Sequence, residues 1–256
     1  MKIIVALKQV PSRDSQLKIA AGGKWIDESD LSFEINEPDA YALEEALQLK
    51  EKHGGEVVVL CAGPERAASS IREALAKGAD RAIHIEEDNI NQLDTLGIAR
   101  LLAQAAQGES PDLVLTGLQS DDLGAGQVGV VMAELMNLPH GTIIMQVEKQ
   151  DGSLRVKREL EDGWFQYVTL PLPALLTIQS GINKLRYATL MGIKKAKTKE
   201  IKRISGADLS AGAGPAVSLA SVYMPQRTKQ TQILDGDAKT AAAKLVEKLR
   251  FEVRAL

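Results

Sequence analysis

Short aliphatic and β-branched runs, separated by segments of helical period, constrain this 256-residue chain more than any other feature. Lys2–Leu7, Glu56–Leu60, Arg81–Ile85 and Leu113–Thr116 read as buried strands. Between the first two, Ala42, Leu43, Ala46, Leu47 and Leu49 recur at helical spacing. Asn36 is placed as N-cap, Pro38 lies in the first turn, and His53-Gly54-Gly55 ends the helix. Ala67–Lys77, stopped by Gly78, and Asn91–Gln107 supply two more helices. Strands separated by helices of this length predict βαβ units, hence a mainly parallel α/β sheet with helices on both faces. Aromatic residues make up 4% of the chain, so the core must come from Ala, Val, Ile and Leu.

After the fourth strand comes Gly117-Leu-Gln-Ser-Asp-Asp-Leu-Gly-Ala-Gly126, followed by a helix over Gln127–Met136. Strand, glycine-rich loop and helix N-terminus make an anion site, because unpaired N–H groups and the helix dipole favour a phosphate and glycines let it come close. The loop is neither GxGxxG nor GxxxxGK[ST] and holds no lysine for a γ-phosphate, so a nucleotide that is held rather than hydrolysed is expected. The competing possibility is an ordinary loop after a central strand. Ligand crevices open at the carboxyl ends of such strands, which gathers Ala6–Lys8, Ala62-Gly63 and Thr116–Gln127 at one rim, with Asn36–Asp39 nearby.

The pattern changes after Pro139. Ile143–Val147, Leu154–Glu159 and Trp164–Leu170, separated by Asp151-Gly152 and Asp162-Gly163, predict an antiparallel add-on, and Pro171–Ile178 predicts a further buried strand. Leu31–Ile35 is expected as a short edge strand and Gln9–Lys24 as irregular. Lys184–Arg203 is basic in a chain of net charge −3, with Tyr187, Leu190, Met191 and Ile193 interleaved. A charge run is usually a solvated face; apolar anchors ringed by lysines fit a docking surface for an acidic partner. Nucleic acid fits less well, with one aromatic interleaved and an acidic whole. Ser205–Pro215 reads as a linker, Val217–Tyr223 as a strand interrupted by Pro225-Gln226-Arg227, and Ala238–Phe251 as a helix capped by Asp237. One strand and one helix make no core, so this tail must pack on the main domain (residues 1–204) or on another chain.

No catalytic constellation is legible. His53, His84 and His140 have no carboxylate or second histidine at metal spacing, so no metal site is expected. Asp121 and Asp122 project differently and are expected to cap the following helix and bind loop N–H groups. Cys61 ends an apolar run and is expected buried and inert. Lys2 precedes too short an apolar run for a signal peptide, and no run approaches a membrane span, so a cytoplasmic protein is expected.

Several segments together resemble the β subunit of electron transfer flavoprotein along nearly the whole chain. They are Val5-Ala-Leu-Lys8, Asn36 with Ala42-Leu-Glu-Glu-Ala46, Gly63-Pro64, Gly78-Ala-Asp-Arg81, Asp112–Gln119, Gln127-Val-Gly129, Leu138–Thr142, Val156–Glu159 and Leu172-Pro-Ala174. Arg186-Tyr-Ala-Thr-Leu190 followed by Lys195-Ala-Lys197 is the most specific set. The resemblance implies a Rossmann-like, adenine-nucleotide α-hydrolase-like fold with an extended C-terminal arm (205–256) wrapping an α subunit. It implies an obligate heterodimer with FAD mainly in the α subunit and a structural AMP in this one. It is not expected to be an enzyme alone but an electron carrier between acyl-CoA dehydrogenases and a quinone reductase. The AMP pocket would be Ala6, Asn36, Glu37, Pro38, Asp39, Ala62, Gly117, Leu118, Gln119, Ser120, Asp121, Asp122, Leu123, Gly124, Ala125, Gly126, Gln127 and Val128. Arg186, Tyr187, Leu190, Met191, Lys194, Lys195 and Lys197 would dock the dehydrogenase, with Leu190 as anchor; burying one leucine stabilises by about 1.5–3 kcal/mol before association costs. Arg158 and Glu159 would lie near the flavin. Glu37 stands in the Asn-Pro-aromatic segment, Val128 replaces a frequent Thr, and Asp122–Gly126 matches neither loop version of the family; His140-Gly-Thr142 favours AMP over a second FAD. Two alternatives remain: an electron-bifurcating β subunit with a second FAD and NADH oxidation, and a stand-alone adenine-nucleotide sensor of the universal-stress type.

Overall fold

The computed structural model describes residues 1–209, 212, 214–226 and 231–255. The strands are β1 (Lys2–Leu7), β2 (Gln9–Pro11), β3 (Phe33–Ile35), β4 (Glu56–Gly63), β5 (Arg81–Glu86), β6 (Leu113–Gly117), β7 (His140–Gln150), β8 (Ser153–Glu159), β9 (Phe165–Pro171), β10 (Ala174–Ile178) and β11 (Ile201–Ser205). The helices are α1 (Glu37–His53), α2 (Ala68–Lys77), α3 (Thr95–Gln107), α4 (Val128–Leu135), α5 (Leu190–Ala196) and α6 (Ala238–Lys248). Nine strands form one sheet in the order β11-β5-β4-β1-β6-β10-β7-β8-β9. It is parallel from β11 through β7, with β8 and β9 added antiparallel. The expected α/β architecture is therefore present.

The central strands read as continuous apolar runs because both faces are covered. Ile3, Val5, Val57, Val59, Leu113 and Leu115 face α1 and α2, meeting Leu43, Ala46, Ile71 and Leu75. Ile4, Val58, Leu60 and Val114 face α3 and α4, meeting Leu101, Leu102 and Met132. Cys61 is buried, and burial pushes its thiol up to about 12, so it stays protonated and inert as expected.

Several boundaries differ from the sequence reading. β4 runs past the expected end at Leu60 to Gly63, because Gly63 still pairs with Glu86 of β5. α3 starts at Thr95 rather than Asn91: Asp94 is the cap, accepting from the Gly97 N–H at 2.8 Å, and residues 90–92 form a separate turn. β3 does not edge the main sheet; it pairs antiparallel with β2, inside the stretch expected to be irregular. The basic run Lys184–Arg203 is not one surface, since its end forms β11 against β5. Residues 217–223 form no strand: none of the described strands pairs with them, and Val217 and Tyr223 are exposed. Part of the expected linker (210, 211 and 213) and Arg227 lie outside the described residues.

Two compact units emerge, Met1–Val222 and Tyr223–Leu256. Residues 205–222 fall in the first, where the Ala216 and Val217 N–H groups donate to Asp94 Oδ2 at 2.7 and 3.2 Å. In the second, Asp237 caps α6 by accepting from the Thr240 N–H at 2.8 Å. A π-helical turn follows (Leu249–Val253), and this unit buries none of α6 while exposing Leu245, Val246, Phe251 and Val253. No helix among the described residues is long and apolar enough to cross a membrane.

Candidate functional site

Chain order reverses about β1: β4 and β5 run off one side, β6 and β10 the other. The β1–β6 pairing ends at Val5 and Leu115, so the strands part beyond it and leave a crevice at their carboxyl ends. The first turn of α1 fills its base. Asp39 accepts from the Lys8 N–H at 2.7 Å and from the Gly117 N–H at 2.9 Å, one per carboxylate oxygen. Burial pushes the Asp39 carboxyl up to about 7, and the hydrogen bonds from Lys8, Asn36 and Gly117 oppose that shift. Gly117 admits no larger residue, since a Cβ there would overlap Asp39 Oδ1 and lie 2.7 Å from Pro38 Cβ.

Asn36 precedes α1 as expected but makes no side-chain cap. Its amide reaches the loop after β6: Nδ2 donates to the Gln119 carbonyl and Oδ1 accepts from the Asp121 N–H, both at 2.9 Å. Buried beneath the loop, it fixes that backbone from both sides. The loop carries no lysine of its own, but β1 delivers one: Lys8 Nζ donates to Asp122 Oδ1 at 2.6 Å and to Ser120 Oγ at 3.3 Å. Burial works against ionising Asp122, but the Lys8 charge and hydrogen bonds from Lys8, Ser120 and Leu123 hold its carboxyl below the usual range. Arg13 pairs with Glu37 and with Asp121 Oδ2, the latter at 3.1 Å. Asp122 binds the Leu123 N–H at 2.8 Å as expected, but neither aspartate caps α4. Gln127 occupies the cap position with no side-chain bond, behind Gly124 and Gly126, each at φ +63°. A helix start without a side-chain cap, behind a glycine turn, offers N–H groups and dipole to an anion. Ala6 and Ala62 lie near the carboxyl ends of the adjacent β1 and β4, so the predicted rim residues come together.

Arg158 and Glu159 reach the same end of the sheet. Ile144 of β7 pairs with both Arg158 and Ile178, and the Ile178 carbonyl accepts from the Leu118 N–H at 2.9 Å. Arg158 donates to Thr142 Oγ1 at 2.9 Å, Glu159 accepts from Gln179 at 3.1 Å, and Arg158 Nε is buried with no partner among the described residues. Beyond them the hairpin exposes Trp164, Phe165 and Tyr167.

The residues expected to dock a partner divide. Tyr187, Leu190 and Met191 are 93%, 81% and 61% exposed, and Lys194, Lys195 and Lys197 are exposed beside them. Arg186 is not part of that face. Half-buried, it is tied to two carboxylates of α1, Glu44 at 2.7 and 3.0 Å and Glu51 at 2.6 and 3.2 Å. Although no metal spacing is legible in the sequence, Glu65, His84 and Glu86 bring ligand atoms within 4.8 Å of one another. Arg203 pairs with both carboxylates, and His84 Nε2 lies 3.1 Å from the Gly63 carbonyl, so the cluster is an ion-pair network with its own cation.

Residues 24–209 match the electron transfer flavoprotein domain. The chain is 39% identical to an electron transfer flavoprotein subunit beta of Methylophilus methylotrophus, covering 96% of this chain and 97% of that protein. It is 33% identical to the Bacillus subtilis electron transfer flavoprotein subunit beta over the full length of both. It is 36% identical to the human electron transfer flavoprotein subunit beta, over 91% of this chain and 92% of that one. Identity of this order over nearly the full length of both chains places the chain in the electron transfer flavoprotein β-subunit family.

Proposed function

We propose that this chain works as the β subunit of a heterodimeric electron carrier, with an α subunit holding most of an FAD and a structural AMP in the β6–α4 loop. The observation that carries the nucleotide reading is the start of α4, without a side-chain cap behind Gly124 and Gly126 and held in place through Asn36 and Asp39. The N–H groups there suit one phosphate, and the crevice beside Ala6 and Ala62 suits a flat base. Asp121 and Asp122 are already paired with Arg13 and Lys8, which limits their repulsion of that phosphate.

When bound, FAD supplies the redox chemistry. This chain contributes the Arg158 guanidinium, whose unpartnered Nε is a donor suited to a flavin edge, and the exposed hairpin aromatics that exclude water where subunits meet. The exposed apolar stripe of α6 is read as packing on the α subunit, since its own unit buries none of it. Leu190, with Tyr187 and Met191, is the surface that receives acyl-CoA dehydrogenases, and electrons leave to a quinone reductase. A cytoplasmic setting accompanies this reading.

The bifurcating alternative keeps the same loop and replaces AMP with a second FAD. Its support is Val128, which offers no hydroxyl at the start of α4. Family membership removes the stand-alone sensor reading. The test is to reduce the purified α/β complex with an acyl-CoA and its dehydrogenase: flavin bleaching supports the carrier, and flavin left oxidised contradicts it.

A further inference from the structure

The apolar residues assigned to docking are exposed, but the backbone carrying them is clamped on both sides. Before them, Arg186 grips Glu44 and Glu51 of α1. After them, α5 and α2 cap each other. Arg72 of α2 donates from Nη1 to the Ala196 and Lys199 carbonyls at 2.5 and 2.8 Å, closing the end of α5. In return Lys199 donates from Nζ to the Leu75 carbonyl at 3.0 Å and to the Ala79 carbonyl, closing the end of α2. Helix ends leave carbonyls unsatisfied, and cations there also meet the negative end of the dipole. At the contact Ala196 is buried, and a Cβ on Gly192 would overlap the Ala76 carbonyl oxygen. Thr189 caps α5 at its start, accepting from the Gly192 N–H at 3.0 Å.

A helix of seven residues is too short to persist alone in water. Tertiary clamps must hold it: Arg72 closes its end, and Lys199, just beyond that end, ties the chain to the end of α2. Association is weakened by whatever ordering it requires, so a prepaid backbone raises affinity without adding a contact. We infer that Arg72 and Lys199 are positioning residues for partner docking: they set the affinity of the Leu190 surface while touching no partner. This rests on the docking reading above. The partner it fits is a protein surface with an apolar pocket rimmed by carboxylates, complementary to Leu190 and Met191 among Lys194, Lys195 and Lys197.

The experiment is steady-state reduction of the intact α/β complex by a purified acyl-CoA dehydrogenase at varied dehydrogenase concentration. The variants are Arg72→Met, Lys199→Met, Leu190→Ala and the double variant Arg72→Met/Leu190→Ala. Arg72→Met and Lys199→Met should each raise the KM for dehydrogenase roughly fivefold with kcat and flavin content unchanged. Arg72→Lys should restore part of the loss, and amide exchange over residues 189–197 should quicken in Arg72→Met. The double variant should be no worse than Leu190→Ala. If Leu190→Ala raises KM and the Arg72 and Lys199 variants do not, the positioning role is wrong while docking stands. If Arg72→Met multiplies the Leu190→Ala defect, its effect is general and the inference also fails. If Leu190→Ala is silent, the docking reading falls and takes the inference with it.

Discussion

Gly117 donates its N–H to Asp39 Oδ1 at 2.9 Å, and that same oxygen occupies the space a Cβ on Gly117 would need. The bond and the missing side chain are one requirement: α1 can tie the diverging ends of β1 and β6 only if the last residue of β6 is glycine.

Gly117→Ala should therefore break the tie rather than merely crowd it. Overpacking against Asp39 and Pro38 is expected to cost about 1–3 kcal/mol, visible as a lower Tm, and to strip the co-purified nucleotide. Retained nucleotide at unchanged Tm would show that the strand ends have slack.

Asn36→Ala removes both bonds from α1 to the loop backbone and leaves the Gln119 carbonyl and the Asp121 N–H without them. Gln119 and Asp121 are exposed residues that water can reach, so each lost bond should cost about 0.5–1.5 kcal/mol. Amide exchange over residues 118–124 should accelerate while exchange in β1 and β4 stays slow. Asn36→Asp should help little, because it keeps the acceptor but presents a carboxylate to the Gln119 oxygen.

Asp39 makes stability depend on pH in the direction opposite to a salt-bridged carboxylate. Its folded value of about 7 lies above the ordinary aspartate value of 3.8, so between these the native state binds more protons than the unfolded chain. The contribution is fully present below pH 3.8, is lost as pH rises towards 7, and is level above that. The Tm of the parent protein relative to Asp39→Asn should thus rise as pH is lowered from 8 to about 5. A difference that is flat, or that falls on acidification, would contradict this assignment.

Leu190 and Arg186 should separate cleanly. Leu190 is 81% exposed, so Leu190→Ala should leave Tm unchanged and weaken reduction by dehydrogenase. Arg186→Ala leaves the buried Glu44 carboxylate without its guanidinium and should lower Tm, and Arg186→Lys should rescue it incompletely because a lysine cannot bridge two carboxylates as a fork does.

The fold was legible where burial is two-sided. Ile3, Ile4 and Val5 alternate faces but all meet helices, so the strand appears in sequence as an unbroken apolar run. The rim followed from strand order and glycine placement. What stayed hidden is side-chain reach over long separation. Asn36 looked like a helix cap but binds residues 83 and 85 positions away, and Lys8 meets Asp122 across 114. Arg186 sat in a basic run, and only the path of the chain past α1 reveals the two glutamates that hold it. His84 and Glu86 lie two apart on β5, which puts them on one face, and that strand spacing was the signal for the cluster with Glu65.

The central claim is a held nucleotide at the start of α4 in a flavin-carrying complex. The most direct measurement is to co-purify the chain with its α subunit, denature the complex and identify the released nucleotides by mass spectrometry. One FAD and one AMP per heterodimer is the predicted result. Two FAD without AMP would transfer the loop to a second flavin, and release of FAD alone would contradict the anion site built from Gly124, Gly126 and Gln127.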